Sequence, residues 1–221
     1  MERWLESFAT TNLRRSSDTA HDLKTPLNVA VLNLELLRMR VGKVSENADD
    51  AKLAGYARAI EIELRRMAQI FDTFFTLSTP PKGEGDPATV DLGALSLETA
   101  AEAGIELTTE VRQGMVHAHT SRLRQCVRLF FDGASRLLTR NGGSAGVEQG
   151  PDFFELRMSG EPANPDFEPT KIFKLYYTDA SGNADLALAS SRLIAETYGG
   201  QLNASQDRDK VTLSLRFPTG E

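Results

Sequence analysis

Apolar residues recur at Ala20, Leu23, Leu27, Ala30, Leu34, Leu37 and Val41, at steps that alternate between three and four. That period of about 3.5 residues is the seam of a helix packed in a coiled coil or helical bundle. The pattern predicts a long first helix, led in by the amphipathic stretch of Trp4, Leu5 and Phe8 and ending near residue 41. Pro26 lies inside it and removes one backbone bond, but the seam keeps its register on both sides, which predicts a bend and not an end. Residues 42–47 are a short polar turn, and a second helix is expected over about 49–77. Its seam is Leu53, Tyr56, Ile60, Met67, Ile70, Phe74 and Leu77, with Glu63 standing where an apolar residue belongs and Leu64 covering for it. Two such helices leave too much apolar edge to stand alone in water. Pairing two hairpins into a four-helix bundle buries both seams, so a homodimer is expected.

The stretch from Ser78 to Pro87, rich in proline, glycine and charge, breaks every period and reads as a linker. The expected organisation is a helical hairpin over 1–79, a linker over 80–89 and an α/β sandwich over 90–221. Within the sandwich, helices are expected near 92–103, 121–139 and 184–198, the last ended by Gly199-Gly200. Strands are expected near 105–111, 153–158, 201–206 and 211–217, the last two joined by a polar turn at 207–210.

Composition narrows the function classes. With 40% hydrophobic and 25% charged residues the 221-residue chain can bury a core. Its net charge of -6 argues against a broad nucleic-acid footprint. No apolar run approaches a membrane span of about eighteen residues or more, and the first ten residues hold no signal-peptide core, so a cytoplasmic protein is expected. The single cysteine, Cys126, rules out an internal disulfide framework and a cysteine-based zinc site. His117 and His119 have a spacing that suits one strand face, but no carboxylate or cysteine cluster accompanies them, and no metal site is expected.

The chemistry concentrates at His21-Asp22-Leu23-Lys24-Thr25-Pro26-Leu27. His21 is one step off the seam and points outward. Asp22 and Thr25 share its side of the helix. The string resembles the phospho-accepting H-box of bacterial sensor histidine kinases, which opens a dimeric helical hairpin. The resemblance implies that His21 is the acceptor, with Asp22 fixing its tautomer and Thr25 positioning a water. Residues 90–221 resemble the ATP-binding domain of the same family. Val90-Asp91-Leu92 resembles the lead into its entry helix, and Ser121-Arg122-Leu123-Arg124-Gln125 the start of the helix that bears its asparagine box. Ile172-Phe173-Lys174-Leu175-Tyr176-Tyr177 resembles its phenylalanine box, and 193–200 the end of its last helix. The family's binding residues are replaced. Leu129 and Gly133 stand at its two asparagines, and Ser159-Gly160-Glu161-Pro162-Ala163 at its Asp-x-Gly-x-Gly loop. Asn183-Ala184-Asp185-Leu186-Ala187-Leu188 stands at its second glycine box, where Asp185 sets negative charge against a phosphate.

Keeping the scaffold while losing three boxes implies a fold retained without ATP. The resemblance then points to the dimeric histidine phosphotransferases of phosphorelays. The expected activity is passage of phosphoryl groups between response-regulator aspartates through His21, without ATP. Receiver domains are the expected partners. Lys24 would steady their acidic pocket, and Val29, Leu32 and Leu36 form an apolar docking strip. No cofactor of the chain's own is expected, since the receiver brings Mg²⁺. The alternative is a non-catalytic, pseudokinase-type interaction protein that blocks a kinase or regulator, with an ATP-dependent histidine kinase third.

Overall fold

A computed structural model describes residues 27–28, 30–39, 48–78, 83, 85–139, 143–164, 167–174 and 185–219. The chain divides into two compact units, Met1–Pro80 and Pro81–Glu221. No helix among the described residues is long and apolar enough to cross a membrane.

In the first unit, residues 27, 28 and 30–39 are helical (α1), followed by α2, Ala48–Ser78. The predicted bend at Pro26 and the turn at 42–47 lie outside the described residues. On α1, Leu27, Ala30, Val31 and Leu34 are half-buried, whereas Leu32, Leu36, Leu37 and Met39 are 45 to 56% exposed. On α2 the buried strip is Ala57 and Glu61, continued by the half-buried Leu64 and Ala68. Those positions step by four, three and four, one stripe of a helix. Of the seam predicted from the large apolar residues, Leu53, Tyr56, Ile60 and Met67 are 46 to 66% exposed in the single chain. Small residues let the two helices of the hairpin approach, and the bulky stripe is left facing out.

The polar residue inside the hairpin is therefore Glu61, not Glu63. Glu63 is exposed and accepts a hydrogen bond from Arg66 Nη1 at 3.0 Å. Glu61 is buried and takes Arg38 Nη1 of α1 at 3.1 Å, with Arg65 Nε at 3.1 Å and Nη2 at 2.8 Å. Arg65 also pairs with Glu35 of α1, so charged groups tie the two helices together.

The second unit begins with β1, Ala88–Asp91, which pairs antiparallel with β2, Met115–Ala118. Between them runs α3, Leu92–Glu102, whose N-cap Asp91 accepts from Gly93 N at 2.9 Å and Ala94 N at 3.3 Å. Next come α4, Thr120–Leu137, the strands β3, Ser144–Gln149, and β4, Phe153–Gly160, then α5, Ala187–Thr197. The chain closes with β5, Gln201–Asp207, and β6, Lys210–Pro218. The larger sheet is antiparallel in the order β3-β4-β6-β5. On β6, Val211, Leu213, Leu215 and Phe217 are fully buried and alternate with Thr212, Ser214 and Arg216, which are not, so one sheet face carries the core. Phe130 and Phe131 of α4 and Ile194 of α5 complete that core. Helices α4 and α5 are knotted by Cys126, whose Sγ donates to Ser191 O at 3.2 Å while Ser191 Oγ donates to Cys126 O at 2.9 Å.

The helices expected near 92–103, 121–139 and 184–198 and three of the four strands stand within a few residues of their predicted ends. The strand expected over 105–111 does not form. Only Leu107 bridges, parallel to Ala145 of β3. Its neighbours satisfy the β3 edge with one backbone amide and two hydroxyls: Thr108 N and Oγ1 donate to Ala145 O at 2.8 and 2.9 Å, and Thr109 Oγ1 accepts from Val147 N at 2.6 Å. Strands β1, β2 and β3 are not anticipated by the sequence pattern. Two are four residues long, and β3 carries Ser144, Gly146 and polar ends, too little alternating apolar signal to read.

Candidate functional site

His21, Asp22, Lys24, Thr25 and Val29 lie outside the described residues. Of the docking strip, Leu32 is 56% and Leu36 45% exposed. They sit four residues apart, one above the other on α1, and away from its half-buried Leu27 and Leu34.

In the α/β unit the positions of the family's boxes converge where α4 meets the start of α5. Leu129 is half-buried on α4, and Gly133, one turn on, is buried. A Cβ at Gly133 would lie 2.7 Å from Leu188 Cγ and 3.2 Å from Ala187 Cβ. No side chain fits between the helices there. Three residues further on, Arg136 reaches across to Asp185 with a two-pronged ion pair, Nε to Oδ2 and Nη2 to Oδ1, each 3.0 Å. Asp185 Oδ1 also accepts from Ala187 N at 3.0 Å, so one carboxylate takes both the guanidinium and the first amide of α5. Its side chain is 13% exposed, against 51% for Arg136.

The third box lies at the end of β4. Ser159 Oγ pairs with Ser144 Oγ at 3.0 Å, across to β3. The following residues zip onto the end of α4: Thr139 N donates to Glu161 O and Ala163 N to Leu137 O, both at 2.8 Å. The resemblance implies a nucleotide held by a side-chain amide at position 133 and by backbone amides at the start of α5. Gly133 has no room and the Ala187 amide is taken, so these residues, as arranged, do not fit a Mg-nucleotide. An open cleft of about 590 Å³ is lined by Glu106, Thr108, Ser135, Thr139, Ser144 and Ser159, so it reaches the third box.

His119 does not join His117 in a site: its Nδ1 is 2.9 Å from Tyr198 Oη, while His117 is exposed on β2. No group of three or more metal-capable side chains occurs among the described residues. Burial pushes the Cys126 thiol up to about 12, which removes it as a nucleophile. Sequence reasoning missed Arg136 and the Glu61 cluster. Arg136 was findable, since a cation three residues after Gly133 shares its helical face.

A family model described as the His Kinase A (phospho-acceptor) domain matches residues 13–83, the stretch that contains His21. The chain is similar to the sensor histidine kinase YkoH of Bacillus subtilis (strain 168), at 24% identity over 214 residues, which is 90% of this chain and 46% of that protein. It therefore spans less than half the length of that relative. In fold it is similar to histidine kinase ThkA in complex with response regulator protein TrrA, with a TM-score of 0.56 at 18% identity, over 97% of this chain and 65% of that one. It is similar in the same way to full-length ShkA in complex with AMPPNP, with a TM-score of 0.53 at 18% identity, over 93% and 46%.

These relatives overturn the phosphotransferase reading. They are named as histidine kinases, one of them in complex with AMPPNP, and none as a histidine phosphotransferase, and the likeness runs across nearly the whole chain. The non-catalytic interaction protein finds no support in them either.

Proposed function

We propose that the chain is a member of the sensor histidine kinase family and an ATP-dependent histidine kinase acting through His21. His21 accepts the phosphoryl group as phosphohistidine and passes it to the aspartate of a response-regulator receiver domain. The observation that carries this reading is the His21-Asp22-x-x-Thr25-Pro26-Leu27 string inside the matched phospho-acceptor stretch. A neutral imidazole nitrogen is nucleophilic near pH 7. Asp22 accepts from the other ring nitrogen and stabilises the charge that develops as the N–P bond forms. Thr25 positions a water for hydrolysis of the aspartyl phosphate.

ATP supplies the transferable phosphoryl group, a reading supported by the complex of ShkA with AMPPNP. The ThkA–TrrA complex supports a receiver as the acceptor. The receiver docks on the strip of Val29, Leu32 and Leu36, with Lys24 against its acidic pocket and with Mg²⁺ carried by the receiver itself. Two copies of the chain pair through their hairpins.

Incubation of the purified protein with Mg²⁺ and γ-labelled ATP tests the reading. We expect acid-labile, base-stable label that disappears in His21→Ala and moves to a receiver added afterwards. Label on His21→Ala equal to wild type, or no label on either, overturns it.

A further inference from the structure

The open cleft of about 590 Å³ is rich in hydrogen-bond acceptors and poor in donors. Its volume falls within the roughly 300–1,000 Å³ of small-molecule sites. Two helices end at it. Ala103 and Gly104 follow the last turn of α3, and Ser135, Leu138 and Thr139 belong to the last turn and the end of α4. Such ends present carbonyl oxygens and carry the negative pole of the helix dipole. The amides beside them are spent inside the fold. Ala103 N, Gly104 N and Ile105 N donate to Thr99 O, Ala101 O and Ala100 O, and Leu138 N and Thr139 N to Ala134 O and Glu161 O, at 2.8 to 3.1 Å. Thr108 Oγ1 gives its only proton to Ala145 O, and Ser144 and Ser159 share one proton between their hydroxyls. What these groups have left for a ligand is mostly lone pairs. Glu106, exposed, is the one charged side chain among the described lining residues, and Ile105, Leu138 and Met158 add apolar surface.

We propose that this cleft binds a small polyhydroxylated ammonium compound of the amino-sugar class. An ammonium group has donors and no acceptor, and it carries the charge that Glu106 and two helix C-termini favour. Sugar hydroxyls donate to the lone pairs of Thr108 and Ser144, and the apolar face of the ring lies against Ile105, Leu138 and Met158. A phosphate is disfavoured by the same lining, because it brings acceptors and negative charge to acceptors and negative charge. The inference stands without the kinase reading.

The test is titration of the full chain with glucosamine by calorimetry at about pH 6, where its amine is charged. Glucose serves as the neutral counterpart, and the proteins are wild type, Glu106→Gln and Glu110→Gln. Both glutamates are exposed between α3 and β2, but Glu110 pairs with Arg112 and does not line the cleft. Its substitution therefore removes the same charge elsewhere. Matching melting curves establish that the three proteins are folded. We expect wild type and Glu110→Gln to bind glucosamine alike, and Glu106→Gln to bind it about tenfold more weakly. Glucose is expected to bind wild type about tenfold more weakly than glucosamine does. In amide NMR spectra of wild type, glucosamine is expected to shift Gly104, Thr108 and Ser144. Absence of binding to wild type overturns the proposal. So does equal binding by wild type and Glu106→Gln, or an equal loss in both variants, which would reduce the effect to general electrostatics. Glucose bound as tightly as glucosamine, or shifts confined to residues outside the cleft, overturns it as well.

Discussion

Glu61 puts a carboxylate in the buried strip of α2, a place where an unpaired charge carries a penalty of several kcal/mol. It is tolerated because cations converge on it. The hydrogen bonds from Arg65 hold its carboxyl below the usual carboxylate range, burial opposes that effect, and Arg38 reinforces it. A lowered folded-state value means that the stabilisation is complete above the unfolded value of about 4.3 and is lost as pH falls through the lower folded one. Melting temperature measured against pH is therefore expected to fall below about pH 4, and Glu61→Gln is expected to flatten part of that fall. Superimposable curves for the two proteins would remove Glu61 from the account. At neutral pH Glu61→Ala is expected to destabilise the hairpin by about 1–3 kcal/mol, because Arg38 and Arg65 are left without their shared acceptor. Chemical denaturation with an unchanged m value checks the magnitude.

At the scale of elements, α4 and α5 show why the family's asparagines cannot simply be restored. Gly133→Asn brings in a side chain whose Cβ alone would lie 2.7 Å from Leu188 Cγ. Overpacking of this kind is expected to cost about 1–3 kcal/mol. Leu129→Asn, at a half-buried position on the same helix, is expected to cost less. Similar losses at the two positions, read from urea denaturation, would show that the helices separate readily at Gly133. These elements also mark what was legible in the sequence. Period and breakers gave α3, α4, α5 and β4 to β6, because long amphipathic helices and alternating strands state their burial in one dimension. The face of α2 that packs on α1 was not singled out by the sequence pattern. Ala57, Ala68 and Glu61 carry little hydrophobic signal beside Tyr56, Ile60 and Met67, and what decides packing there is closeness of backbones and a cation from the other helix. The replaced nucleotide boxes were legible as residues, but the pairing of Arg136 with Asp185 and the seat of Leu188 against Gly133 join two helices distant in sequence, which no local pattern encodes.

The whole molecule turns on the outward stripe of α2. Leu53, Tyr56, Ile60 and Met67 leave between 46 and 66% of their surface exposed, and they recur over four turns of one helix. Burying side chains of this size fully is worth about 1.5–3 kcal/mol each. A second copy offers the same stripe, so the proposed homodimer buries both at once. Glutamate at two adjacent positions distinguishes this face from the interior of the hairpin. At position 61 it has Arg65 one turn on and Arg38 across the helix pair. At position 60 the neighbours one turn away are Tyr56, Ala57, Glu63 and Leu64, none of them cationic. Ile60→Glu is therefore expected to leave a carboxylate unpaired in the dimer contact and to yield a folded monomer, with helical content by circular dichroism unchanged. Leu34→Glu is expected to behave differently, since Leu34 is half-buried on α1 within the single chain and the hairpin itself should lose helicity. Multi-angle light scattering at tens of micromolar separates these outcomes. A wild-type mass of one chain, or an Ile60→Glu dimer as firm as wild type, would take the stripe out of the assembly and require the two hairpins to meet along another face.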